Sequence, residues 1–326
     1  MDTDDLKRRV ADWLAKEGYP LESRTARVFQ EHRFGVRQSY FVRDIASDKP
    51  REIDVLAEVQ TKVGERLLRI AYVVECKWSV DKPWVMFCSD ASMAPSACIA
   101  QSISSELGRA VVWCAAGDSS LHGTDTFCTP RYTAFGGRQP FSGNSDIVFN
   151  SLQSVAAAAR SYVDRYAGPA YISNKLPTIA EVAFPVIVVQ GLIFESTLDP
   201  ATKDLKLRQV PRVRLYWRGS EAWGLHATID VVSEDALSDF VATRVEDLET
   251  LIRVFATALE GIESTVHTGD WNSLPVSGGP RGTLGLPRLL ARLRQEQKLA
   301  TKAVSSDEDK IELAPNPSGR ADENRP

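Results

Sequence analysis

The sequence predicts an α/β fold in which a sheet is flanked by helices, and three observations carry that expectation. Residues 1–18 and 144–166 place apolar side chains at helical spacing. Three apolar, strand-like runs follow one another between 36 and 79. The segments joining those runs are short, charged and rich in turn formers.

Each element has its own signal. Leu6, Val10, Trp13 and Leu14 share one helical face, and Gly18 ends that stretch. After GYP a second helix is expected over about 21–32, with Val28 and Phe29 inward, until Gly35 breaks it. The strand runs are VRQSYFVRD from Val36, EIDVLAEV from Glu52 and LLRIAYVVECKWS from Leu67, joined by ASDKPR and TKVGER. A helix is expected around PSACIAQSISSEL, and RAVVWCA from Arg109 reads as another buried strand. Residues 144–166 form a longer helix with Ile147, Val148, Leu152, Val155, Ala159 and Val163 on one side.

The second half repeats neither motif nor order. FPVIVVQGLIFEST, KLRQVPRVRLYWRG and GLHATIDVV are strand candidates, and RVEDLETLIRVFATALEGI is an amphipathic helix. This half is either a second small α/β lobe or an extension of the first sheet. From Ser277 the chain turns to Gly and Pro, a short basic helix is expected around LPRLLARLRQEQKL, and SSDEDKIELAPNPSGRADENRP has the composition of a disordered tail. The expected division is 1–168, an α/β extension over 169–268, and 269–326 as linker, basic helix and tail.

At 326 residues with a net charge of -4, the chain can bury a substantial core and offers no overall basic signal, so any nucleic-acid surface must be local. No apolar run approaches the roughly 20 residues that span a bilayer, and the acidic, amphipathic start lacks the features of a secretory signal. Cys76, Cys88, Cys98, Cys114 and Cys128 are odd in number and spread out, without CxxC spacing or a Cys/His cluster. Reduced thiols in a cytoplasmic protein are expected. His32, His122, His226 and His267 make no ligand pattern, FGGRQPFSGNS lacks a P-loop ending, and no serine stands in a G-x-S-x-G elbow.

The informative anomaly is acid inside the apolar strands: Asp54 in EIDVLA, and Glu75 with Lys77 in VVECKW. An unpartnered charge is costly there. Alternation puts Glu75 and Lys77 on one face with Cys76 on the other, and Asp54 beside them at the end of the adjoining strand. Converging carboxylates repel unless a cation sits between them, and oxygen ligands, including the Cys76 carbonyl, suit Mg²⁺ (or Mn²⁺). Lys77 would orient or deprotonate a water, or balance charge on a phosphate.

Asp54 followed by Glu75-Cys76-Lys77 resembles the PD-(D/E)XK nuclease superfamily over roughly 18–116, with ID in place of PD. The resemblance implies a restriction endonuclease-like core (helix, three strands, helix, strand) carrying a C-terminal α/β extension. It further implies Asp54, Glu75 and Lys77 as catalytic residues. Glu22, at the start of the preceding helix, resembles the extra helix acid of the Mrr-like and Holliday-junction-resolvase-like branch, which would add Glu22 to the metal ligands Asp54, Glu75 and Cys76. Gln101 is not followed four residues later by Tyr but by Ser105, so the RecB-like branch is not matched.

Plainer roles stand beside these. Glu75 and Lys77 would make a same-face ion pair, Glu22 would suit the first turn of any helix, Glu52 would be a solvated strand-edge acid, and Trp78, Trp84 and Phe87 would be packing residues. For a phosphate backbone, Arg24 and Arg27 follow Glu22 on its helix. Arg212 and Arg214 alternate with Val213 and Leu215 in a strand whose plain reading is half-exposed. The expected function is Mg²⁺-dependent hydrolysis of phosphodiester bonds in DNA, with RNA or branched DNA as other substrates and a homodimer as the expected assembly. The alternative is a non-catalytic nucleic-acid-binding or assembly module.

Overall fold

The computed structural model describes residues 2–14, 18–44, 47–90, 93–142, 146–218, 226–272, 274 and 287–312, with backbone alone at 226 and 304–312. The chain begins with α1 (Thr3–Leu14), α2 (Tyr19–Glu31), β1 (Gly35–Arg43), β2 (Pro50–Val63), β3 (Arg66–Trp78) and β4 (Trp84–Ser89). It continues with α3 (Pro95–Ala100), β5 (Ile103–Ser104), α4 (Glu106–Ala115), α5 (Ser119–His122), β6 (Thr133–Arg138) and α6 (Ile147–Asp164). The short pair β7 (Ile172–Ser173) and β8 (Leu176–Pro177) leads into β9 (Ile179–Gln190), β10 (Ile193–Leu198), β11 (Leu205–Gln209), β12 (Arg212–Arg218) and β13 (His226–Ser233). Two long helices, α7 (Leu237–Thr268) and α8 (Arg288–Glu312), close the chain.

One mixed sheet holds almost all the strands, in the order β1-β2-β3-β9-β13-β12-β6-β4-β10-β11, with β5 beside β9. β1, β2 and β3 form an antiparallel meander, and β9 then pairs parallel to β3 over the whole of Leu67↔Ile179 to Trp78↔Gln190. The apolar runs dictate this. β3 is buried along nearly all its length, as a strand with cover on both faces must be. Val74 and Cys76 pack under α2, α4 and α7, and Ala71 and Val73 under α6.

The second half is therefore an extension of the first sheet. The expected boundary at 168/169 lies between α6 and β9, and residues on its two sides share the β3–β9 ladder. A buried ionic knot ties them further: Glu181 of β9, fully enclosed, accepts from Arg69 of β3 at 2.6 Å and from Arg165 at 2.7 Å. α4 lies so close over β9 that a Cβ on Gly108 would meet the Glu181 carbonyl oxygen at 2.1 Å. Only glycine fits there.

Three expectations need correcting. RAVVWCA is not a strand but most of α4. Ser105 caps it by accepting the Gly108 N–H at 3.2 Å, and its residues are buried all round, which hides the helical period behind a continuous apolar run. The fourth strand beside the meander is β9, far downstream. PSACIAQSISSEL is not one helix but α3, the two-residue β5 and the cap of α4. β4 and β6, which carry no strong period, are strands as well. At the C-terminus, α8 is longer than expected and anchored: Leu289, Leu290 and Leu293 are buried in the core under α4 and α7. Residues 275–286 and 313–326 lie outside the described residues. Among the described residues no helix is long and apolar enough to cross a membrane.

Candidate active site

The acids meet where β2 and β3 part. Their ladder ends at Val55↔Val74, one step short of Asp54 and Glu75. The chain also twists here: Ile53 packs under α6 while Val55 packs under α2, although simple alternation would put both on one face. Ser39, on β1 between the pairs Gln38↔Val55 and Tyr40↔Ile53, has a φ of 47°. That break turns the Asp54 carboxylate toward β3, where its Oδ2 accepts the Cys76 N–H at 2.7 Å. In extended backbone one residue's N–H and C=O point to the same edge, so the Cys76 carbonyl faces the same gap beyond the last ladder pair.

Glu75 and Lys77 share a face as expected, with Lys77 Nζ 2.6 Å from Glu75 Oε1. The Cys76 thiol points the other way, 3.6 Å from Thr25 Oγ1 on α2, and burial pushes its pKa up, so it is neither nucleophile nor thiolate ligand. All five cysteines are free, four of them buried.

The electrostatics are those of a site with too much negative charge. Burial, and then the neighbouring Glu75 carboxylate, push Asp54 from its ordinary 3.8 up to about 7, against the pull of the Cys76 N–H and Lys77. Glu22, one turn into α2, is also raised, first by burial and then by Glu52, with Glu75 adding and Lys77 opposing. Lys77 is partly desolvated, which lowers its pKa, but Glu75 and Asp54 more than offset this and hold it protonated. Glu22, Asp54, Glu75 and Lys77 are thus one electrostatic unit.

Oxygen donors in negative excess fit a hard cation that keeps several waters. Asp54, Glu75, the Cys76 carbonyl and Glu22 are the residues that would hold it. Among the described residues no three His, Cys, Asp or Glu side chains are gathered into a metal cage, and one Glu75 oxygen is engaged by Lys77. The donor set is two strand carboxylates and a main-chain oxygen, with the helix acid at electrostatic range.

Two partners in this site carry no motif. Ser154 of α6 donates to Glu75 Oε2 at 3.3 Å, and Arg51 Nη1 donates to Ser154 Oγ at 3.2 Å while its Nε holds Asp44 at 2.6 Å. Only the helical face of 144–166 that points at the sheet could have signalled Ser154. Three rings next to site residues along the chain or the ladder are exposed: Tyr19 opens α2, Phe41 pairs with Glu52, and Trp78 follows Lys77. Trp84 is fully buried and Phe87 lies elsewhere in the sheet.

The arginines divide. Arg24 and Arg27 are exposed on α2, paired with Glu234 and Glu31. Arg212 and Arg214 are corrected: β12 is an interior strand between β13 and β6, not a half-exposed one. Arg214, 2 % exposed, grips Asp230 with two bonds of 3.0 Å and donates to the carbonyls of Asp125 and Cys128. Arg212 binds Asp125 at 2.7 and 3.1 Å. Arg244 of α7 completes the cluster with Asp125 and Asp247. Arg214 and Arg244 are enclosed structural cations, and Arg212, a quarter exposed, is engaged by Asp125.

No family model, no curated protein and no solved structure matches this chain.

Proposed function

We propose that the protein is a Mg²⁺- or Mn²⁺-dependent phosphodiesterase that cuts DNA, of the PD-(D/E)XK kind. The observation that carries the reading is the excess of carboxyl groups over cations where β2 and β3 part, with Asp54 held near 7 beside Glu75 and Lys77. The order α2, β1–β2–β3, α4, then β9 parallel to β3 supports it, since it gives the helix, three strands, helix, strand sequence once the insertions are set aside.

In this reading the bound cation supplies Lewis-acid polarisation of a phosphoryl oxygen and an acidified water. Asp54, Glu75 and the Cys76 carbonyl would hold it, with Glu22 on the helix side. Lys77 orients the attacking water through its ammonium hydrogens and offsets charge growing on the phosphoryl oxygens. Ser154, backed by Arg51, fixes the Glu75 carboxylate. Arg24 and Arg27 add exposed positive charge elsewhere on α2, and Tyr19, Phe41 and Trp78 offer flat surfaces to bases. RNA and branched DNA would be cut by the same residues.

A second reading has an observation in its favour. Lys77 closes an ion pair on Glu75 and no three-acid cage is formed, an arrangement that also suits a nucleic-acid-binding or assembly module with no catalysis. Purified protein and Asp54→Ala, incubated with plasmid and linear DNA with and without Mg²⁺ or Mn²⁺, decide between them. Metal-dependent cutting lost in the variant is expected. Binding without cutting selects the second reading, and cutting that survives without metal or in the variant overturns the first.

A further inference from the structure

The sheet is covered unequally. Over β3, β9 and β13 both faces carry helices. At the far end α6 covers one face of β6 and β4 and reaches Ile193 of β10, through Ala134, Trp84 and Met86, while β11 is exposed along its whole length. Alternation sends Phe87, Phe135, Phe194, Leu198, Leu205 and Leu207 to the other face, and none of the six belongs to either core. Phe135, Leu198, Leu205 and Leu207 are 60–72 % exposed. They are contiguous: Leu198 faces Leu205 across the β10–β11 ladder, Ser196 joins Leu207 to Phe87, and the Phe87 and Phe135 rings lie 6.3 Å apart. A connected apolar face of this kind marks an interaction surface.

A second bare surface belongs to the same chain. α1 buries none of its residues, and Leu6, Val10, Trp13 and Leu14 form one stripe, 37–53 % exposed. Its twelve residues make a rod about 18 Å long, and the six-residue strands β4 and β10 give a floor about 20 Å long. The rod fits the floor.

It does not reach it within one chain. α2 packs on β1, β2 and β3. From β3 to β6, β4 and β10 is four to six strand steps, about 19–29 Å. The five Cα steps from Leu14 to Tyr19 span at most about 18 Å. We propose that two copies of this chain exchange α1, each helix seating on the bare β6–β4–β10–β11 face of the other. The exchange is reciprocal, so it closes under a two-fold axis. It brings ten apolar side chains from each copy together, a fitting centre for an interface of about 20–30 residues a side.

Light scattering on the full-length protein after size exclusion tests this, with Val10→Asp on the helix and Leu207→Lys on the sheet. Both positions are exposed in a single copy, so circular dichroism should stay unchanged. The expected result is a dimer for the parent protein and a monomer for each variant. An equimolar mixture of the two variants should regain part of the dimer, because one intact helix still meets one intact sheet face. A monomeric parent at all concentrations overturns the proposal, as does a dimer that survives either substitution. A mixture that stays monomeric points to helix–helix or sheet–sheet pairing and overturns it too.

Discussion

Besides the Glu181 knot, two clusters of charge among the described residues are balanced differently. Beneath α7, three arginines (Arg212, Arg214, Arg244) meet three aspartates (Asp125, Asp230, Asp247), and their bonds run in pairs. At the parting of β2 and β3, three acids (Glu22, Asp54, Glu75) share one lysine. A fold that keeps buried charge for structure supplies the counter-charge from its own side chains. The second cluster does not, and that difference separates scaffold from site more sharply than burial does, since Arg214 is the more buried of the two kinds.

The largest effect that would break this contrast is on activity. Asp54→Asn should lower cleavage by roughly 10³–10⁴-fold, measured as initial rates on linear DNA, and should not lower the unfolding midpoint, because it removes a repelled charge. Lys77→Met should show the same activity loss. Next comes the balanced cluster: Arg214→Met takes from enclosed Asp230 its two short bonds, leaving only Arg212 at 3.8 Å, and should cost about 3–5 kcal/mol in urea unfolding. A parent-like midpoint in that variant would erase the distinction between the clusters.

A third effect concerns pH. The folded Asp54 carboxyl sits near 7 against an ordinary 3.8, so its stability contribution is complete below about 4 and is lost as pH rises through 7. The loss is on the order of 4 kcal/mol at most. Metal-free protein should therefore melt lower at pH 8 than at pH 5, and Asp54→Asn should flatten that slope. Mg²⁺ or Mn²⁺ should raise the melting point at pH 8 and do little at pH 5, with about 2.7 kcal/mol gained at a hundred times the dissociation constant. The smallest effect tests the support of Glu75: Ser154→Ala should slow cleavage about fivefold, near 1 kcal/mol, with little change in stability.

Much of this could be read in advance from local pattern. The meander was legible because each of its strands ends in charge or turn residues, and the Glu75–Lys77 pair because alternation alone puts them on one face. The failures have physical causes. RAVVWCA is a helix enclosed on every side, so no polar stripe betrays its period. Arg212 and Arg214 alternate with apolar residues just as a half-exposed strand would, and only the aspartates supplied by distant segments make a buried position tolerable. Ser154 reaches Glu75 across 79 positions, a contact no spacing rule contains. The twist that takes Ile53 and Val55 to opposite faces is likewise a property of the β1 break at Ser39, not of EIDVLA itself.

The β3–β9 ladder also sets an order of events during synthesis. Leu67 must find Ile179, so the central strand pair closes a loop of more than a hundred residues and forms late. A nascent chain that has emerged only as far as α6 holds β3 with one edge unpaired. The sheet around the Glu75–Lys77 pair is therefore completed only after β9 has cleared the exit tunnel, and chaperone demand should peak in the interval before it does.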